Sequence, residues 1–305
     1  MKHISQIQFG IQSPEEIERI SVCEINSSKY NDISSYNTVY DPRMGPMKHG
    51  EICPTCNKQS KDCMGHFGHI NLNVRIIHPL YARVAVSFLK CFCMSCTRMI
   101  FTSDMLELWG YMRYKNDQRF DLIVKRADKE RCCQRCHTIM PKYSYSSNLN
   151  EYYATYSKPT RRVILKVEDI DHVLSCVCDE DISLLGLNPT CFHPRSIILQ
   201  KLPVIPPRSR PFVLVDGVND DDLTLQYVEI IKANEYLSNQ ELSLSKQEKY
   251  AQTIRFRIAT LMDNSSNKAK HSSSHPIKSI KERLSGKEGR IRSGLMGKIL
   301  VFMLC

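Results

Sequence analysis

The chain has 305 residues, of which 42% are hydrophobic, and its formal net charge is +10. This apolar content excludes an intrinsically disordered chain, and the length predicts about two domains with a sizeable core. The N-terminus lacks the apolar run of a signal peptide, and no segment has the roughly 18 consecutive apolar residues of a membrane span, so we expect a soluble intracellular protein without membrane contact.

Fourteen cysteines are present, and most of them lie between Cys53 and Cys136. In an intracellular chain, such clustering favours metal binding over disulfide formation. The excess of Lys and Arg is concentrated after Lys268. It fits a polyanionic partner, although a basic surface that only maintains solubility has the same composition.

A short helix is predicted near the N-terminus, because Ser13 can cap it, Pro14 suits its first position and Glu16 completes a capping box. Ile17 and Ile20 are expected on its buried face. The following segment, residues 27–46, is rich in Asn, Ser, Tyr and Pro, which predicts a loop.

The next segment places three cysteines and one histidine in one short loop, the ligand set of a closed structural zinc site. The predicted ligands are Cys53, Cys56, Cys63 and His66. His69 is expected to lie beside the site, since His66 already completes the tetrahedron. Four protein ligands leave no position for a catalytic water, so we predict a structural role.

A strand is predicted over residues 70–79 from alternating apolar residues, and a helix over residues 80–89 from its helical spacing. Two Cys-x-x-Cys pairs follow, separated by a helical insertion that contains Trp109. This spacing predicts a second structural zinc site. Its predicted ligands are Cys93, Cys96, Cys133 and Cys136. Cys91 and Cys132 lie beside these pairs without the same spacing, and ordinary buried or free thiols are the alternative interpretation of both sites.

Residues 160–187 are predicted to be helical, because apolar residues recur there at spacings of three and four. A short buried strand is expected around Ile198. Prolines then break it into an extended loop at residues 203–211, which is predicted to project with Arg208 and Arg210. A rigid linker between domains is the alternative interpretation of this loop.

Two helices are predicted over residues 220–263, the first capped by one of three consecutive aspartates. A flexible polar loop is expected at residues 264–276. The chain then combines glycines with basic residues, of which six are candidate phosphate contacts: Lys281, Arg283, Lys287, Arg290, Arg292 and Lys298. Glycine allows close backbone approach to a phosphate and the cations neutralise it, although a solvated charged loop has the same composition.

In their order, these features resemble the N-terminal part of the largest subunit of multisubunit DNA-directed RNA polymerases, of the eukaryotic and large-DNA-virus type. The motifs that carry the resemblance extend from residue 8 to residue 298. They include Gln-Phe-Gly at 8–10, Asp-Pro-Arg-Met-Gly at 41–45, the first cysteine motif at 53–70, Leu-Pro-Val at 202–204, Asp-Asp-Leu-Thr at 221–224 and Leu-Met-Gly-Lys at 295–298.

The resemblance implies a mixed α+β fold whose regions carry the names used for this family. They would be a zinc-containing clamp head (1–158) and a clamp core (159–263). The clamp core would include a lid loop (203–216) that bears Arg208 and Arg210. Residues 264–298 would contain a rudder-like loop (264–276) and a basic switch segment that meets template phosphates. It also implies two structural zinc ions.

The partners implied by the resemblance are the other polymerase subunits, including the second-largest, together with template DNA and the DNA–RNA hybrid. The expected location is the nucleus for a cellular protein, and the host cytoplasm or virion for a viral one. Catalytic magnesium is expected only in another part of the enzyme, because the family's aspartate-rich motif is absent from this sequence.

After residue 298 the sequence departs from the family pattern, since residues 299–305 replace the expected Arg-Val-Asp-Phe-Ser-Ala-Arg. A truncated gene product, a split subunit or translation into an intron would each explain this divergent tail. We therefore predict a chain that is inactive alone and works as part of the polymerase. The alternatives are a stand-alone zinc-dependent nucleic-acid-binding regulator and an inactive fragment.

Overall fold

A computed structural model describes residues 10–29, 35–147, 150–157, 159–214, 218–238 and 243–296. Lys298, the end of the predicted lid loop at residues 215–216 and the divergent tail at 299–305 lie outside these ranges. None of the helices in the described ranges combines the length and apolarity needed to cross a bilayer.

Helices and strands both occur throughout the described chain, which confirms the mixed class. The α-helices are α1 (Pro14–Ile20), α2 (Ala82–Cys91), α3 (Ser103–Leu108), α4 (Asn116–Ala127), α5 (Val167–Ser175), α6 (Asp179–Leu184), α7 (Asp222–Leu237), α8 (Leu244–Met262) and α9 (Ile280–Leu284). The strands are β1 (Ser21–Glu24), β2 (Phe67–Ile77), β3 (Lys142–Ser146), β4 (Glu151–Ser157), β5 (Thr160–Leu165), β6 (Ile198–Val204), β7 (Val213–Leu214) and β8 (Val218–Asn219).

The chain forms two compact units. The first unit contains residues 1–13 and 75–199, and the second contains residues 14–74 and 200–305. The first cysteine motif therefore belongs to the second unit and the two Cys-x-x-Cys pairs belong to the first. The clamp-head and clamp-core boundaries implied by the resemblance are functional divisions, and they stay predictions.

The first unit is built around α2, whose buried face includes Ala85, Phe88 and Leu89. The Phe88 ring lies 5.1 Å from that of Phe120 and 5.8 Å from that of Phe192, so one aromatic side chain joins three segments of the core. A three-stranded antiparallel sheet in the order β3-β4-β5 belongs to the same unit. The predicted helix over residues 80–89 and the helical insertion around Trp109 are confirmed by α2, α3 and α4.

The predicted helix over residues 160–187 is wrong in its first quarter. Residues 160–165 form β5, which pairs with β4 from Ser157↔Thr160 to Tyr152↔Leu165, and helix begins only at Val167. The apolar residues Val163 and Val167 have helical spacing by coincidence, because they lie on two different elements. The β-branched residues of this stretch favour an extended strand that can pair with its neighbour.

A three-stranded sheet has the order β1-β2-β6, with β1 and β2 parallel, and most of its residues belong to the second unit. The long helices α7 and α8 pack against each other, and Ile230, Ile254 and Ile258 are fully buried. Asp221 caps α7, since its side chain accepts a hydrogen bond from the Leu223 N–H. This confirms the two predicted helices and one of the three candidate caps.

One local expectation in this unit needs correction, and one predicted loop has a buried contact that the sequence did not indicate. Ile20 is 41% exposed, because α1 is a short helix that buries only Ile17. The predicted flexible loop at residues 264–276 is held by Asn264, whose buried amide donates to the carbonyls of Ala269 and Ile277 at 2.9 and 2.8 Å. A buried amide with both partners satisfied fixes the two ends of this loop together.

Candidate metal centres and basic segment

The first cluster joins the three cysteines and the histidine predicted from the sequence. The ligand atoms of Cys53, Cys56, Cys63 and His66 all lie within 4.8 Å of one another. Cys63 Sγ and His66 Nε2 are 3.7 Å apart, and Cys53 and Cys63 are buried. His69 is not among the four converging ligands, and its Nδ1 lies 2.8 Å from Ser21 Oγ.

One half of the first cluster is a tight turn. The Cys53 N–H donates to Lys58 O, and the Asn57 N–H donates to Cys53 O, both at 2.8 Å. Asn57 has a φ of 55°, a left-handed conformation that Asn tolerates better than most residues. This turn brings the two sulfurs at its start, Cys53 and Cys56, toward one point.

The other half of the first cluster is a glycine loop that is hydrogen-bonded to the segment around Met44. The His66 N–H donates to Met44 O at 2.9 Å, and Gly65 has a φ of 87°. A Cβ on Gly45 would come within 3.6 Å of the Cys63 sulfur, so the turn at Pro42–Met44 and its following glycine pack directly beneath the ligands. This half of the site depends on residues outside the cysteine motif.

Asp41 holds that supporting turn in shape. Its carboxylate accepts hydrogen bonds from the Asn37 N–H at 2.6 Å and from the Arg43 guanidinium at 2.7 and 2.9 Å. Burial opposes ionisation of this side chain, but the hydrogen bonds from Arg43 and Asn37 outweigh it and lower the pKa of Asp41. The carboxylate is therefore ionised and fixes the Pro42–Met44 turn.

The second cluster consists of two copies of the same tight turn. The four sulfurs of Cys93, Cys96, Cys133 and Cys136 lie within 4.8 Å of one another. In the first copy the Thr97 N–H donates to Cys93 O at 2.8 Å, and in the second the His137 N–H donates to Cys133 O at 2.9 Å.

A hydrogen bond between the copies closes this cluster. Arg135, inside the second turn, donates from Nε to Met99 O, next to the first turn, at 3.0 Å. The second cluster is thus supported by residues of its own two turns.

Backbone N–H groups point at sulfurs in both clusters, although burial raises the pKa of Cys63, Cys93 and Cys96. In each motif the residue two positions after the first cysteine aims its N–H at that sulfur, as Gly65 does at Cys63, Ser95 at Cys93 and Arg135 at Cys133, all at 3.4 Å. Burial raises the pKa of Cys53, but the N–H groups of Cys56 and Thr55 outweigh it, so that its pKa is lowered. Such second-layer hydrogen bonds stabilise negatively charged sulfur, so both donor sets suit a soft metal ion.

Two cysteines next to the second cluster are not part of it. Cys91 is fully buried at the end of α2, and burial raises the pKa of its thiol to about 12. Cys132 lies next to Cys133 but outside the group of converging sulfurs. Within the described ranges, the two four-ligand groups are the ones that could hold a metal ion.

The two arginines of the 203–211 loop do not project from it as expected. Arg210 is fully buried, and its guanidinium donates to Ile205 O at 3.0 Å, to Thr224 Oγ1 at 2.9 Å and to Val39 O. Tyr40 and Tyr227 lie on either side of it, with ring centres 5.6 and 5.8 Å from Cζ. Carbonyl oxygens and aromatic faces replace solvent here, because the fork-shaped guanidinium can satisfy several acceptors at once.

Arg208 is exposed at the surface, but it turns toward the first cluster. Its Nη1 donates to Cys63 O at 2.5 Å and also to Ser60 O. The proline pattern correctly indicated a loop, but nothing local in the sequence identifies acceptors about 150 positions away along the chain.

Five of the six predicted phosphate contacts lie in the described residues, and they divide into two groups. Lys281 forms an ion pair with Asp263, and Arg283 forms one with Asp221 at 2.8 Å. Burial opposes ionisation of Asp263, but hydrogen bonds from Lys281 and Ser265 lower its pKa to about 2. These two cations therefore fasten the basic segment to the rest of the unit.

The other described cations of this segment face solvent. Lys287, Arg290 and Arg292 are exposed, and Arg290 donates to Ser209 O at 2.9 Å. Lys298 lies outside the described residues. A third acidic residue, Asp222, accepts from the Lys278 N–H at 2.8 Å and pairs with His271 at 3.0 Å. The aspartates at the start of α7 thus hold the basic segment as well as capping the helix, a role that the sequence pattern did not indicate.

A family model described as RNA polymerase Rpb1, domain 1, matches residues 1–295 of this chain. The chain belongs to this family. The match covers both four-ligand clusters and nearly all of the basic segment, and it confirms the resemblance drawn from the motifs.

Relatives of the Rpb1 domain come from a virus, a ciliate and an archaeon. The chain is 32% identical to a protein of Invertebrate iridescent virus 6 named probable DNA-directed RNA polymerase II subunit RPB1 homolog, over 98% of the chain and 36% of the relative. It is 31% identical to DNA-directed RNA polymerase II subunit RPB1 of Euplotoides octocarinatus, over 98% of the chain and 68% of the relative. It is 30% identical to subunit Rpo1N of Methanothermobacter thermautotrophicus, over 99% and 36%. The chain thus spans about a third of two relatives and two thirds of the other.

Proposed function

We propose that this chain forms the nucleic-acid-gripping clamp of a DNA-directed RNA polymerase and is active only within that multisubunit complex. The observation that carries the proposal is the family match over residues 1–295, which contains both metal clusters and most of the basic segment. The proposed partners are the second-largest subunit and the other subunits, with template DNA and the DNA–RNA hybrid as bound nucleic acids.

Nucleotidyl transfer is assigned to another part of the polymerase. Magnesium prefers oxygen ligands in octahedral geometry, whereas the two clusters offer sulfur and imidazole. In this proposal the chain contributes its grip on the nucleic acid, and the magnesium-dependent chemistry is supplied elsewhere in the enzyme.

Each cluster is proposed to hold one zinc ion. Three or four sulfurs with converging geometry suit zinc, and four protein ligands leave no position for a reacting water. The ion would therefore cross-link chain segments and stabilise the fold. The expected metal content is two zinc ions per chain, measured by elemental analysis of the purified protein.

We propose the family's region names for the segments of this chain, in their order along the sequence. Residues 1–158 are the clamp head and residues 159–263 the clamp core, with the lid at 203–216. The rudder-like loop is residues 264–276, and the switch segment is residues 281–292. Their support is the order of the motifs along a chain that matches the family over nearly its whole length.

Template phosphates are proposed to bind the exposed cations of the switch segment. Lys287, Arg290 and Arg292 are the proposed contacts, and Lys298 is retained as a fourth. Lys281 and Arg283 are proposed to act indirectly, because their ion pairs with Asp263 and Asp221 hold the segment in position. An exposed cation that neutralises one phosphate contributes about one unit to the salt dependence of DNA binding.

Purification of the tagged chain from the cells that produce it tests the proposal. We expect other polymerase subunits to copurify, together with magnesium-dependent RNA synthesis on a DNA template. A chain that purifies alone, without this activity, and binds duplex DNA with a steep salt dependence would instead be a stand-alone regulator. In either case Lys287→Ala should reduce the slope of log binding constant against log salt concentration by about one unit. Lys232→Ala on α7, where Lys232 forms an ion pair with Glu229, is the matched control.

A further inference from the structure

The loop that follows β6 returns to the first metal cluster. The Arg208 Nη1 donates to the carbonyl oxygens of Ser60 and Cys63, and the latter belongs to a proposed metal ligand. Both acceptors lie on the stretch between the second and the last ligand of that cluster. A guanidinium that bridges two carbonyls of one short loop holds them at a fixed separation.

A second attachment lies next to the first. A Cβ on Gly65 would come within 2.5 Å of Pro206 Cβ and 2.8 Å of Pro206 Cγ, so the Pro206 ring packs against the Gly65 backbone as closely as glycine allows. The chain turns sharply there, because the Ser209 N–H donates to Pro206 O at 2.9 Å. The base of the loop is therefore fastened to the metal-binding loop by a hydrogen-bonded cation and by close packing.

The same loop also touches the basic segment. Arg290 donates from Nη2 to Ser209 O at 2.9 Å, directly beside Arg208. Contacts thus run from the first cluster through Arg208 and Ser209 to one of the proposed phosphate contacts. All of these residues belong to the second unit.

We infer that Arg208 is a positioning residue that couples metal binding at the first cluster to the order of residues 205–212. A metal ion fixes Cys63 and His66, and thereby the carbonyl oxygens that Arg208 grips. Coupling between two sites is reciprocal in binding free energy, so the fastened loop must also tighten the binding of the metal. We expect the tighter binding to be seen as slower metal release. Its consequence for transcription rests on the proposed function, whereas the coupling itself does not.

The second cluster supplies the contrast that makes the inference specific. There the corresponding arginine, Arg135, lies inside one turn and donates to Met99 O at the other, so its contact stays within the cluster. A change at Arg208 should therefore alter the first cluster alone. A general loss of stability would alter both.

Metal release from the full chain tests the inference. The chain is loaded with Co²⁺, whose visible absorption distinguishes a site with three sulfurs and one nitrogen from one with four sulfurs, and EDTA is added. Arg208→Ala should release Co²⁺ from the first cluster roughly five to thirty times faster, which corresponds to about 1–2 kcal/mol for the lost hydrogen bonds of an exposed cation. Arg208→Lys, which keeps one donor group, should restore part of the wild-type rate.

The control and the reciprocal measurement use the same protein. Arg161→Ala, on the exposed strand β5, should leave both release rates unchanged. In hydrogen exchange, Cys53→Ser should expose residues 205–212, whereas Cys93→Ser should not. Equal acceleration at both clusters, or an unchanged rate at the first cluster in Arg208→Ala, would overturn the inference. Neither result depends on whether the chain copurifies with a polymerase.

Discussion

The two metal clusters have the same number of ligands but are supported in different ways. The second cluster repeats one tight turn twice and closes on itself through Arg135. The first uses that turn once and completes its ligand set with a glycine loop, which rests on Met44 and Pro206. A self-contained site can stiffen only its own surroundings, whereas a site completed by distant segments also fixes where those segments lie.

This difference bears on how each cluster would serve a clamp. The second cluster joins the two ends of the insertion that contains α3 and α4, and so holds one part of the first unit together. The first joins the cysteine motif to the Pro42–Met44 turn, which shortly precedes it, and to the loop after β6, which is about 145 positions away in sequence. Changes near the first cluster should therefore extend further along the chain than equivalent changes near the second.

Removing one ligand from each cluster should give the largest effect. Cys53→Ser and Cys133→Ser should each reduce the zinc content from two ions to one, because three ligands hold zinc far more weakly than four. A structural zinc site contributes on the order of 10 kcal/mol to folding, so the segments that the lost ion cross-linked should lose most of their amide protection in hydrogen exchange. Elemental analysis and exchange of the intact chain measure both effects.

The two variants should differ in how far the loss extends. Cys53→Ser should expose the loop after β6 as well as the cysteine motif, whereas Cys133→Ser should expose only the insertion and its turns. The contrast between a self-contained and a dependent cluster fails if the two variants give the same pattern along the chain.

Substitution of the buried Arg210 tests how the loop at residues 205–212 is held on the side away from the first cluster. Arg210→Met keeps the volume of the side chain but leaves Val39 O, Ile205 O and Thr224 Oγ1 without their donor. Buried acceptors without partners cost about 1–3 kcal/mol each, partly relieved by relaxation, so the second unit should lose about 2–4 kcal/mol. Hydrogen exchange of the α7 amides measures this free energy of opening.

The matched control is Arg161→Met, because Arg161 is exposed on the edge strand β5. Its expected effect is within about 0.5 kcal/mol. If Arg210→Met proves as mild as this control, then the buried guanidinium does not hold the loop.

Two glycines with the same φ allow the cost of backbone strain to be measured separately from the cost of a steric contact. Gly65 and Gly50 both have a φ of 87°, but a Cβ on Gly65 meets Pro206 whereas one on Gly50 meets nothing within 4 Å. Gly50→Ala should cost only the left-handed strain, about 1 kcal/mol. Gly65→Ala should cost about 3 kcal/mol, because overpacking adds to that strain. Equal costs in thermal unfolding would show that the contact between Gly65 and Pro206 is unimportant.

The two four-residue clusters and the buried faces of α7 and α8 could be predicted from the sequence, because short spacings and helical periodicity record them directly. The strand β5 could not, since Val163 and Val167 imitate one helix face while lying on two elements. The buried position of Arg210 could not either. A proline-rich loop indicates where the chain turns, but the acceptors Val39 O and Thr224 Oγ1 come from other segments that only the fold brings together.

The smallest effect concerns the feature that the two clusters share. In the described ranges the tight turn occurs three times, and the residue four positions after its first cysteine has a positive φ each time: Asn57 at 55°, Thr97 at 56° and His137 at 58°. A β-branched residue tolerates this conformation least and Asn most. Thr97→Gly should therefore stabilise the first unit by about 0.5–1 kcal/mol, since relief of strain exceeds the added flexibility of the unfolded chain.

Asn57→Gly is the matched control in the first cluster, with an expected change near zero, and His137→Gly should lie between the two. Hydrogen exchange of the turn amides in the zinc-loaded protein can rank the three variants. If instead Asn57→Gly were the most stabilising, contacts between each turn and its surrounding segments would determine the stability change more than backbone strain at the positive-φ residue. If the three substitutions changed stability equally, the turns would be energetically identical. The difference between the clusters would then come only from the segments that surround the turns.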